Sequence, residues 1–102
     1  MEVEPDDEFE EPAMGWLFRE VTRLAATLRR SGIPEERIRA VCHEYIGGMA
    51  YGIDSEPVEV KGVSYEIAVV ATDPDGRSVM ATDLFLFHET ANSIVDQVLD
   101  PA

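Results

Sequence analysis

The chain has one cysteine, Cys42, one lysine, Lys61, and no long apolar run. A lone cysteine excludes an internal disulfide and suits a reducing compartment, so the cytoplasm is the expected location. The longest unbroken apolar stretch, Ile67-Ala68-Val69-Val70-Ala71, falls far short of the ~20 residues of a membrane span. The opening Met1-Glu2-Val3-Glu4-Pro5-Asp6-Asp7-Glu8 has neither the basic flank nor the apolar stretch of a secretory signal. No phosphate-cradling loop occurs either, because Gly47-Gly48 lacks the lysine and the preceding strand that such a loop requires. What remains is 102 residues, 45% hydrophobic and 28% charged, the balance of one globular domain with one modest core.

Basic charge is scarce and unevenly placed. Eight bases against 21 acids give a net charge of −13. Residues 1–12 hold seven acids and no base, whereas residues 13–39 hold six arginines against three acids. Residues 40–102 are acidic again, with only Lys61 and Arg77 as bases. Such a field repels nucleic acid and anionic membranes and attracts basic partners. Solubility or a salty habitat accounts for the same charge without any partner.

Residues 1–12 are poor in apolar side chains and carry Pro5 and Pro12, so they are expected to form a disordered acidic arm. That arm is expected to stay mobile or to dock on the arginines of the helices that follow. Residues 13–102 form the single folded domain. Pro12 sits near a helix start, where its missing N–H costs nothing. Leu17, Val21, Leu24 and Leu28 follow at helical spacing, with Phe18 and Ala25 widening the stripe. Gly32 and Pro34 stop this helix. A second helix opens at Pro34 and buries Ile38, Val41, Cys42, Tyr45, Ile46 and Met49. It is expected to run through Gly47-Gly48, where another element comes close, and to end at Gly52. Together the two make an αα-hairpin.

After Pro57 the apolar period changes to two. Val58–Val60 reads as a short strand, Lys61-Gly62 as a tight turn, and Val63–Ala71 as a second strand. Asp73-Pro74-Asp75-Gly76 is a strong turn signal, and a third strand runs from Arg77 to about Phe87. A short helix follows over residues 90–99, halted by Asp100-Pro101. The expected class is α+β in the order ααβββα, with a three-stranded antiparallel meander. A three-residue loop at Pro74–Gly76 sets Asp73 opposite Arg77, Ile67 opposite Asp83, Tyr65 opposite Phe85 and Val63 opposite Phe87. Both sheet faces are then largely apolar, which implies that part of one is closed by a second subunit or a partner.

Catalytic signals are thin. Asp83 interrupts an apolar strand and is either a desolvated acid–base group or a charge that blunts an edge; the edge role is favoured. Cys42 and His43 are neighbours, but adjacent residues on a helix point about 100° apart and do not form a dyad. Neither His43-Glu44 nor His88-Glu89 has metal-ligand spacing, although His43, His88 and Asp83 together would supply suitable donors. His88 also has a simpler place near the cap of the last helix. No cofactor is implied.

The leading expectation is therefore a small, non-catalytic interaction module, homodimeric through its sheet. Its partner-binding residues are Tyr65, Met80, Leu84, Phe85 and Phe87, since aromatics and methionine dominate interface cores. One alternative is an inhibitor or immunity-type protein whose acidic surface blocks a basic, nucleic-acid-binding partner. Another is a small enzyme using Asp83 and His88.

Overall fold

The computed structural model describes residues 3–100, and the fold is α+β. Its elements in chain order are β1 (Glu4–Pro5), a 3₁₀ turn (Asp7–Phe9), α1 (Glu10–Arg30), α2 (Glu35–Cys42) and a π-helical turn (His43–Gly47). Then come α3 (Gly48–Ser55), β2 (Val58–Val60), β3 (Val63–Tyr65), β4 (Val70–Thr72), β5 (Ser78–Met80) and α4 (Phe87–Leu99). No described helix is long and apolar enough to cross a membrane.

The core lies among the helices. Phe9, Ala13, Leu17, Val21 and Ala25 are buried at every fourth position along α1 and the turn before it. At the end of α1 the amide of Ile33 donates to the Leu28 carbonyl and that of Gly32 to the Arg29 carbonyl. This left-handed cap requires φ of +79° at Gly32, which glycine adopts without strain. Arg29 then grips Glu35 with both Nε (2.6 Å) and a terminal nitrogen (3.1 Å), fixing the start of α2 against the end of α1. Hydrogen bonding to Arg29 holds the Glu35 carboxyl below its ordinary range.

On the second helical stretch the buried positions are Ile38, Cys42, Ile46 and Ala50, again four apart. In a regular α-helix each step of four drifts by about 40° around the axis. The π turn rotates less per residue and reduces that drift where the stripe crosses it. Tyr45, expected on the stripe, is 66% exposed. The helical stretch passes through Gly47-Gly48 as expected and runs on to Ser55. A Cβ at Gly47 would stand 2.8 Å from Asn92 Oδ1 of α4, so glycine admits that close approach.

The expected meander is split in two. β2 pairs antiparallel with β3 as a separate ribbon, closed by Lys61 and Gly62 at φ of +52° and +80°. β4 pairs antiparallel with β5 in the anticipated register, Val70 opposite Met80 and Thr72 opposite Ser78. Asp73 organises that turn: its Oδ1 accepts from the amides of Asp75 and Arg77, both at 2.9 Å. Beyond Met80 the ladder stops, because the chain turns at Thr82–Phe85 and drives Phe85 and Phe87 into the helical core. Fully burying an aromatic side chain is worth roughly 1.5–3 kcal/mol, against about 0.5–1.5 kcal/mol for a ladder hydrogen bond. Tyr65 therefore faces Val58 across β2–β3, not Phe85, and α4 begins at Phe87, earlier than residue 90.

The acidic N-terminal segment is part of this fold, which corrects the expectation of a disordered arm. β1 pairs in parallel with β5, Glu4 opposite Val79 and Pro5 opposite Met80. Asp6 caps the 3₁₀ turn by accepting from the Glu8 amide, and its own amide donates to the Met80 carbonyl. Phe9 is then buried against Phe85 and Phe87, edge to face at 5.7 Å in both pairs. Arg77 from the β4–β5 turn closes over the segment through Asp6 (2.8 Å) and Glu8. The arginine that binds these acids is thus Arg77, outside the helices. Residues 1 and 2 of the expected arm lie outside the described residues.

The backbone amide of Glu8, and after it Arg77, hold the Asp6 carboxyl below its ordinary value. A depressed carboxyl contributes stability above its unfolded pKa and loses that contribution as pH falls through the folded value. Protection of the Asp6 amide against hydrogen exchange should accordingly hold from pH 8 to 5 and fade below about pH 4. Protection that stays constant down to pH 2 would show that the carboxylate does not hold the segment.

Candidate interaction surface

The β2–β3 ribbon carries an apolar face. Cross-strand pairing sets Val58 opposite Tyr65 and Val60 opposite Val63, and the two-residue period puts all four side chains on one side. Each remains about half exposed, between 46% and 51%, and Ile67 just beyond is similarly open. Glu59 and Ser64 occupy the opposite face. Isolated two-stranded ribbons are marginal in water unless their apolar face packs against something. The molecule measures 44 × 37 × 22 Å with a radius of gyration of 15.3 Å, above the ~13 Å of a tightly packed chain of this length.

The expected interface residues separate accordingly. Tyr65 lies on the open ribbon face, and Leu84 projects from the turn after β5 at 94% exposure. Met80 is half-buried on β5. Phe85 and Phe87 are core residues, 8% and 2% exposed, so they do not form part of an accessible surface. The two-faced sheet that motivated them does not form, since its strands part after Met80. A cleft of about 280 Å³ opens between residues 66–69 and 80–83, floored by Ile53, Phe85 and Phe87.

Asp83 lines that cleft but stands exposed on a turn, not on an edge strand. His88 sits in the first turn of α4, near the cap as expected, and its partner is Asp54. Asp54, in the last turn of α3, accepts from the amides of Phe87 (3.1 Å) and His88 (2.9 Å) and from His88 Nδ1 (2.6 Å). A carboxylate only accepts, so His88 carries its proton on Nδ1. Tyr51 meets the imidazole edge to face at 5.6 Å. α4 has no side-chain cap of its own, and Asp54 provides one from another element. Sequence reasoning missed Asp54, because it ended the second helix at Gly52 and so placed Asp54 outside it, whereas α3 runs to Ser55.

His43 belongs to a second polar cluster. Its Nε2 lies 2.9 Å from Asp96 Oδ1, which also accepts from Arg39 (2.8 Å), while its Nδ1 lies 2.8 Å from Asn92 Oδ1. Cys42 is fully buried and burial pushes its thiol pKa up, so the adjacent pair does not act together. His43, His88 and Asp83 are not assembled as a metal site. Among the described residues no group of three or more His, Cys, Asp or Glu side chains is placed to hold a metal ion.

In comparisons with protein families, curated proteins and solved structures, the chain finds no match.

Proposed function

We propose that this chain is a small acidic interaction module, without catalytic activity, that associates with a second copy of itself through the apolar face of the β2–β3 ribbon. One observation carries this reading: Val58, Val60, Val63 and Tyr65 share a face that, among the described residues, stays about half exposed. A contiguous exposed apolar face marks an interaction site, and an aromatic such as Tyr65 is the residue type enriched at interface centres. The lone, buried thiol is consistent with work in the cytoplasm, where a disulfide would not persist.

Sedimentation velocity tests the proposal. The native chain should sediment as a dimer, and Val60→Asp should be monomeric with an unchanged helical circular dichroism spectrum. A charge in the centre of an interface typically weakens association by at least tenfold, about 1.4 kcal/mol or more. A native chain that stays monomeric at the highest soluble concentration, or a Val60→Asp chain that still dimerises, overturns it.

The net charge of −13 favours a second reading, an inhibitor-type protein that occupies a basic groove on a nucleic-acid-binding partner. That reading predicts a fast association that weakens steeply with salt.

A further inference from the structure

Beyond self-association, we infer that the cleft between residues 66–69 and 80–83 takes up an extended, basic segment of a partner polypeptide, added as a strand. The cleft exists because the β4–β5 ladder is torn. Continuing its register past Val70 and Met80 would set Ile67 opposite Asp83, but the chain turns at Thr82–Phe85 instead. Among the described residues, neither Ile67 and Ala68 on one wall nor Asp83 on the other makes a backbone hydrogen bond. The 66–69 wall thus offers free amides and carbonyls of the kind to which an added strand pairs.

Charge decides what kind of segment it takes. The charged residues that line the cleft are Asp54, Glu66 and Asp83, all acids. Asp54 is committed to the start of α4 and to His88. Glu66 and Asp83 are exposed, one on each wall, and among the described residues neither has an ion pair or a side-chain hydrogen bond. A rim of two unpaired carboxylates favours basic side chains, and complementary potentials of this kind select one partner over another.

The floor completes the argument. Ile53, Phe85 and Phe87 make it apolar. At about 280 Å³ the cleft lies just below the ~300–1,000 Å³ of pockets that bury whole small ligands, and it suits one or two side chains. Successive side chains of a strand point to opposite sides. A segment of alternating apolar and basic residues therefore sends its apolar set to the floor and its basic set outward, to Glu66 and Asp83.

The test uses the full chain and a fluorescent peptide of alternating lysine and valine, followed by anisotropy and by amide hydrogen exchange. The peptide should bind and slow exchange at the Ile67 and Ala68 amides at least about tenfold. Methylating the peptide's backbone nitrogens keeps every charge but removes its strand donors, and should weaken binding at least about tenfold. The double variant Glu66→Lys with Asp83→Lys, at two exposed positions, should weaken it as much while the helical circular dichroism spectrum stays unchanged. Equal binding of the methylated peptide would show attraction by net charge alone and overturn the inference. Binding that leaves Ile67 and Ala68 unprotected, or that survives the double substitution, would overturn it too, as would no binding at millimolar peptide. Protection of these amides that rises with protein concentration in the absence of peptide would give the cleft to a second copy instead. None of these outcomes depends on Val60→Asp, so the dimer reading stands or falls separately.

Discussion

Replacing Phe9 with alanine should cost about 3–5 kcal/mol, measured as a fall in the midpoint of urea unfolding. Phe9 is 1% exposed and is, among the described residues, the side chain through which the acidic segment enters the core. Its ring meets Phe85 and Phe87, which meet each other at 5.0 Å, so all three rings lose edge-to-face partners together. Domains of this size have roughly 5–15 kcal/mol of total stability, so the variant should be marginal. Deleting residues 1–9 should go further and unfold the chain, since it also removes β1 from the edge of β5 and the acids that bind Arg77. A truncated chain of native stability would show that this segment is an appended arm after all.

Asp54→Ala should be the most damaging change to a polar side chain, at roughly 2–4 kcal/mol. The carboxylate satisfies two amides at the start of α4 and orients His88. Removing it leaves buried or half-buried donors without a partner and withdraws a negative charge from the positive helix end. Asp54→Asn retains one accepting oxygen and should cost about half as much. His88→Ala, which leaves both capped amides in place, should cost only about 1 kcal/mol. Amide exchange at Phe87 and His88 reports the effect directly: both should lose protection in Asp54→Ala and keep it in His88→Ala. Equal losses in the two variants would mean that the ring, not the cap, holds the junction between α3 and α4.

Of the candidate surface, half was legible from residues alone. The change of period after Pro57 and the Lys61-Gly62 turn specify the ribbon and its apolar side, because both signals are local. That this side stays open was not legible. Val63 and Tyr65 also alternate in phase with Phe87 and Phe85, and periodicity cannot choose between two strands offering the same pattern. The exposure of Tyr45 was hidden for a related reason: it lies at helical spacing from Cys42 and Met49, and spacing alone does not reveal the π turn in which it sits.

The sequence by itself determined the α+β class, the glycine stop after α1, the long second helical stretch, and the Asp73–Gly76 turn with its register. Each depends on residues within a few positions of one another, where backbone sterics and hydrogen-bond geometry leave little choice. The tertiary structure decided the rest. Phe9 is 76 and 78 positions away from Phe85 and Phe87, and the burial of the three against one another tears the expected ladder at Met80 and draws the acidic segment into the fold. Local charge and composition favoured a free arm and a continuous strand. Removing three aromatic rings from water outweighed both, because apolar burial depends on what meets in space and not on which residues are neighbours along the chain.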